Sequence, residues 1–126
     1  MPNMSPSLPP APPTRTAVII DDEQRGRMFL STILAKHFPG IEEVGQAKSV
    51  DESIALIEGT TPDIIFLDIE IIGGTGFDVL TRILAGRHLI VFISAYANYR
   101  EEADRYPNSR FLLKPISIGM LREALA

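Results

Sequence analysis

The sequence predicts an α/β fold: a doubly wound, five-stranded parallel sheet, flavodoxin-like, flanked by helices. Three observations predict it. Short apolar, β-branched runs recur along the chain, as strands buried on both faces require. Helical periodicity fills each gap between them, which orders the chain as β-α five times. The length of 126 residues, with 45% hydrophobic and 22% charged content, suits one hydrophobic core.

The prolines divide the chain. Six of the ten lie in residues 1–13. Residues 1–14, MPNMSPSLPPAPPT, have no side-chain charge and little to bury, so they are expected to form a disordered, partly polyproline-II arm. A secretory signal would need a basic start and an apolar stretch that this segment lacks. Its two readings are a solvated leader and a docking peptide for an aromatic-grooved partner. Residues 15–126 are the folded domain.

The elements follow in order. Residues 16–20 (TAVII) form the first strand. Leu30, Ile33, Leu34 and His37 share one helix face, and Phe38-Pro39-Gly40 ends that helix. A more polar strand over residues 43–47 suits a sheet edge. Ser49 and Glu52 make a capping-box pattern ahead of Ile54 and Ile57. Residues 63–67 (DIIFL) form the third strand. Gly76 opens the next helix, with Phe77, Leu80, Ile83 and Leu84 inward. Residues 89–93 (LIVFI) and 111–113 (FLL) are the last strands, and Ile118, Leu121 and Leu125 stripe the final helix. Residues 98–105 are polar, and a fourth helix there is expected to be short or mobile.

Composition excludes several functions. No cysteine is present, so disulfides, thiolate metal sites and cysteine nucleophiles are out. Two histidines leave no His-rich metal site. Twelve basic residues against sixteen acidic give a net charge of −4, against the basic surface that nucleic acid selects. No apolar run reaches the roughly 20 residues of a membrane helix. Neither His37 nor His88 sits at a strand's carboxyl end, so neither is placed for chemistry. Arg82, Arg87, Arg100 and Arg105 read as solvated charges.

Sites in such sheets form at the carboxyl ends of the strands. Asp21, Asp22 and Glu23 follow the first strand, Asp68 and Glu70 the third, Ser94 the fourth, and Lys114 with Pro115 the fifth. Crowded carboxylates repel, which raises their pKa values or demands a cation. A hard oxygen-seeking ion, most naturally Mg²⁺, suits Asp21, Asp22 and Asp68. A carboxylate beside such an ion can attack a phosphoryl group and become an aspartyl phosphate. Any one aspartate at a strand end can equally be a helix cap.

The set Asp21-Asp22-Glu23, Leu67-Asp68-Ile69, Ser94-Ala95 and Leu113-Lys114-Pro115 resembles the receiver domain of bacterial two-component response regulators across residues 16–126. The resemblance implies the strand order 2-1-3-4-5. It implies Asp68 as phosphoryl acceptor, Asp22 as a direct Mg²⁺ ligand, Asp21 acting mostly through water, and Glu70 offering its backbone carbonyl. Ser94 is implied as the switch hydroxyl, Lys114 as the cation paired with Asp68, and Pro115 as a cis proline that aims Lys114. Phe111 matches the aromatic whose rotamer follows the switch. Tyr96, two residues past Ser94, is a second candidate for that role. A histidine kinase or histidine phosphotransfer protein upstream, a protein partner downstream, a cytoplasmic location and a monomeric state are implied as well. So is the absence of any enzyme activity beyond the domain's own phosphorylation and dephosphorylation.

Two segments depart from the family pattern. Residues 71–76 (IIGGTG) replace a proline by Ile72 and add a glycine. They predict a mobile loop that exposes Ile71 and Ile72 to a kinase, or one of these packed on the sheet edge. Residues 92–96 (FISAY) are similar to a receiver variant with a Phe-Ala-Thr-Gly pattern, some members of which lack an ordered fourth helix. The leading expectation is a stand-alone receiver. The alternatives are a receiver fragment of a larger regulator, a binding-only pseudo-receiver, and an aspartate-nucleophile phosphatase suggested by Asp68 and Glu70. The last fits poorly, since its nucleophile belongs on the first strand.

Overall fold

Every apolar run in the sheet alternates between two faces, and two cores result. In the computed structural model, residues 15–126 are described; the proline-rich segment 1–14 lies outside them. Strands β1 (Arg15–Ile20), β2 (Ile41–Ala47), β3 (Ile64–Asp68), β4 (Leu89–Ser94) and β5 (Ser109–Leu113) form one parallel sheet in the order β2-β1-β3-β4-β5. The 2-1-3-4-5 expectation holds. Ala17, Ile19, Ile64, Phe66, Val91 and Ile93 face one layer. Val18, Ile20, Ile65, Leu67, Ile90 and Phe92 face the other. Side chains alternate along a strand, so a central strand covered on both sides must be apolar at every position.

Helices α1 (Gln24–His37) and α5 (Ile118–Ala124) cover the first face. Helices α2 (Val50–Thr60), α3 (Gly76–Leu80) and α4 (Arg100–Ala103) cover the second. Helix α1 buries Leu30, Ile33 and Leu34 as its pattern predicts, while His37 at its end is exposed. The capping box of α2 is half formed. The Glu52 N–H donates to Ser49 Oγ, but the Glu52 carboxylate accepts from the N–H of Lys48 rather than of Ser49. Helix α3 holds the complete box instead, between Thr75 and Asp78. It stops after five residues, so Ile83 only half packs and Leu84, expected to face inward, is 68% exposed.

Two segments flank the carboxyl edge of the sheet, one unlike its expectation and one as expected. The loop expected to be mobile is a small antiparallel hairpin, Glu70–Ile71 against Gly74–Thr75. It is tethered to the start of α2: Ile72 N–H donates to Lys48 C=O at 3.3 Å, and Val50 N–H donates to Ile72 C=O at 2.9 Å. Gly73 turns the hairpin at φ +88°, where a side chain would be strained. Ile71 is buried and Ile72 is 53% exposed, so one of the two isoleucines packs. The expected short fourth helix is observed: a 3₁₀ turn, Ala97–Tyr99, leads into the single turn of α4.

Candidate functional site

Parallel strands aligned in register bring their carboxyl ends to one edge. Ile20 pairs with Leu67, Asp68 with Ile93, and Ser94 with Leu113. The residues that follow therefore meet although up to 93 positions separate Asp21 from Lys114. Backbone bonds fix them further. Asp21 N–H donates to Ala47 C=O at 3.0 Å, and Lys114 N–H donates to Ser94 C=O at 2.8 Å.

Asp21, Asp22 and Asp68 each present a carboxylate oxygen within one sphere of contact, all within 4.8 Å of one another. Asp21 and Asp68 are buried; Asp22 is exposed. Lys114 Nζ donates to Asp68 Oδ2 at 2.9 Å, and Glu70 N–H donates to Asp68 Oδ1 at 3.3 Å. Asp21 Oδ1 accepts from Glu23 N–H at 2.9 Å. Burial pushes the Asp21 carboxyl up to about 6, with the nearby Asp68 charge adding to it against the Glu23 N–H and Lys114. Burial alone would lower the Lys114 ammonium, but the hydrogen bond and charge of Asp68 outweigh it and hold it above its ordinary value. Three oxygen donors of net negative charge are the donor set that a hard divalent cation takes.

The remaining predicted residues stand around this cluster. Ser94 is buried, and its hydroxyl accepts from Tyr96 N–H at 2.9 Å. The Lys114–Pro115 bond is cis, as the resemblance implies. Phe111 is half-buried against the core, paired across the strands with Phe92. Arg100, expected to be solvated, lays its guanidinium 4.7 Å from the Phe111 ring centre, a cation–π contact. Tyr96 is 52% exposed and meets Tyr99 edge-on at 6.5 Å. The Glu70 carboxylate accepts from the Tyr99 hydroxyl at 3.1 Å, which raises the pKa of that phenol. His88 is buried with Nδ1 against Pro62 C=O, remote from the cluster in role.

Three contributors escaped sequence reading. Gly26 sits on α1 where a Cβ would lie 2.1 Å from Asp21 Oδ2, so that notch makes room for the carboxylate. Its signal was an isolated glycine within a helical pattern, which often marks close approach. Arg27 Nη1 donates to Asp21 C=O at 2.8 Å. Tyr99 reaches Glu70 across 29 positions, and no local pattern announces such a bond. A cavity of about 460 Å³ opens beside Asp21, Asp68 and Lys114, walled by Phe29, Leu30 and Phe66.

A sheet of this order with acidic groups and a lysine at its carboxyl edge defines the signal-receiver class of α/β domains. The chain belongs to the response regulator receiver domain family, which matches residues 17–126. It is 37% identical over 110 residues to an uncharacterized response regulatory protein of Vibrio cholerae, covering 86% of this chain and 42% of that protein. It is 33% identical over 100 residues to the sensory transduction protein LytT of Enterococcus faecalis, covering 78% and 41% respectively. The chain thus spans less than half the length of these relatives. The response regulatory domain of protein mrkE from Klebsiella pneumoniae superposes with a TM-score of 0.78 at 27% identity, over 87% of this chain and 91% of that one. A DNA-binding response regulator from Staphylococcus aureus shares the fold, with a TM-score of 0.78 at 24% identity, over 88% and 95%.

Proposed function

We propose that the chain takes a phosphoryl group onto Asp68 from a histidine kinase or a histidine phosphotransfer protein, and that this switches a protein-docking surface. The observation that carries the reading is Lys114 Nζ at 2.9 Å from Asp68 Oδ2, at the edge of the three-carboxylate cluster. That pairing gives one buried carboxylate a cation to share with an incoming anion.

In the transfer, an Asp68 carboxylate oxygen forms the new O–P bond. The donor's N–P bond breaks, and its electron pair returns to the imidazole ring. Lys114 pairs first with the carboxylate and then with the phosphoryl oxygens. Asp21, Asp22 and Asp68, with the backbone carbonyl of Glu70, are the groups to hold Mg²⁺. When bound, that ion supplies positive charge against the phosphoryl oxygens. Beyond this self-modification and its reversal by water, the domain turns over no substrate.

The phosphoryl group brings nearly two negative charges and three acceptors. The Ser94 hydroxyl, which accepts from Tyr96 N–H, then donates its own hydrogen to a phosphoryl oxygen. We assign Phe111, half-buried beside Phe92, as the aromatic that follows, with exposed Tyr96, just ahead of the 3₁₀ turn, as the alternative. The α4–β5–α5 face thereby acquires a second packing that a downstream protein can read. The net charge of −4 suits a protein partner for this domain rather than nucleic acid. Longer relatives carry names such as transcriptional regulatory protein LytR, so that exclusion extends only to the domain. Among the described residues no helix is long and apolar enough to cross a membrane, and a cytoplasmic monomer is the state we propose.

The test is incubation with acetyl phosphate and Mg²⁺, followed by intact mass. The wild type gains one phosphoryl group and Asp68→Asn gains none. A wild type that stays unmodified both with acetyl phosphate and with a phosphorylated histidine kinase overturns the assignment.

A further inference from the structure

Glu70 stands two residues past Asp68 with its carboxylate exposed and its N–H on Asp68 Oδ1. A glutamate tethered there by its backbone alone would swing its charge through the approach to Asp68. A phosphoryl donor is itself anionic, so such a charge opposes its arrival. The Glu70 side chain is not free: Tyr99 donates its hydroxyl to Oε2 at 3.1 Å. Tyr99 is in turn held by rings. Its centroid lies 6.1 Å from buried Phe77, and Phe77 packs on Phe92 at 5.3 Å and on Tyr106 at 5.9 Å. The donor ring is therefore packed against the core, and its hydroxyl restrains the exposed carboxylate it meets. The residue just ahead of this 3₁₀ turn is held as well, because Ser94 Oγ accepts from Tyr96 N–H.

We propose that Tyr99 is a positioning residue for phosphoryl acceptance, its hydroxyl confining the Glu70 carboxylate so that it does not repel the donor at Asp68. The inference rests on Asp68 being the acceptor. Tyr99 touches no reacting atom; it acts through Glu70.

The test compares initial rates of phosphorylation by acetyl phosphate with Mg²⁺ on the full chain, for wild type, Tyr99→Phe, Glu70→Gln and the double variant. Phenylalanine keeps the ring on Phe77 and removes only the donor. Tyr99→Phe is expected to accept phosphoryl about three- to tenfold more slowly at low salt, the scale of one unscreened charge at close range. The deficit shrinks at about 1 M salt, where screening acts within about 3 Å. In the Glu70→Gln background the same change at Tyr99 alters the rate less than about twofold, as coupled residues require. A purely structural tyrosine would cost the same in both backgrounds and at both salts, and that outcome overturns the inference while leaving Asp68 as acceptor. A wild type that takes no phosphoryl from any donor overturns both.

Discussion

Lys114 Nζ lies 2.9 Å from Asp68 Oδ2, and the Asp68 side chain keeps only 10% of its exposure. The Lys114 ammonium meets a carboxylate that also lies within reach of Asp21, and removing either partner of the pair leaves the other charge uncompensated. The pair is both a structural contact and the centre of the proposed chemistry.

Lys114→Met is expected to destabilise the domain by about 1–2 kcal/mol, less than for a fully buried pair because the lysine is one-third exposed. Adding Asp68→Asn should recover most of that loss, since no unpaired anion remains. Urea midpoints of the two variants check this; equal losses in single and double variants would contradict it.

Asp21 predicts a pH dependence for the metal-free domain. Its carboxyl titrates at about 6 when folded, against 3.8 for an ordinary aspartate in an unfolded chain. Between those values the folded state binds the extra proton. Its contribution therefore favours folding below about pH 4 and is lost as pH rises through 6. At neutral pH the ionised group costs up to about 3 kcal/mol. Asp21→Asn should raise the melting temperature with chelator at pH 7, change it little at pH 4, and flatten the slope between. An unchanged slope would sink the assignment.

Mg²⁺ should stabilise the wild type by about 2.7 kcal/mol at a hundredfold excess over its dissociation constant. Asp22→Ala should abolish the increment while leaving the metal-free melting temperature nearly unchanged, because Asp22 is exposed. Calcium-free thermal melts with and without Mg²⁺ supply the measurement, and a retained increment would remove Asp22 from the ligand set.

The hairpin after β3 predicts that a proline at Ile72 is destabilising. Proline at a flexible loop commonly stabilises by restricting the unfolded chain. Here the Ile72 N–H donates to Lys48 C=O, so Ile72→Pro should cost about 1 kcal/mol and speed amide exchange at Val50 and Gly74. Unchanged exchange there would show that the tether contributes nothing.

Much of the fold was legible because its causes are local. A strand covered on both faces must be apolar at each position, so residues 64–67 and 89–93 could be read as central strands without any partner in view. The carboxyl-edge residues followed, since parallel strands end together and Asp21, Asp68, Ser94 and Lys114 each stand one step past an apolar run. Leu84 was misread because periodicity continues past the point where α3 stops. Arg100 is exposed as expected, but its contact with Phe111 escaped reading because that partner lies on another element.

The sequence by itself determined the layer order, the two-faced core and the set of side chains gathered at one edge. Only the tertiary structure decided which of them touch. The notch at Gly26 that admits the Asp21 carboxylate, the tether of Ile72 to Lys48, and the hold of Tyr99 on Glu70 each depend on groups that the packing of separate segments brings together. Periodicity records which way a side chain points relative to its own element. The distance to a group on another element depends on how those elements pack, and that is set by the core as a whole.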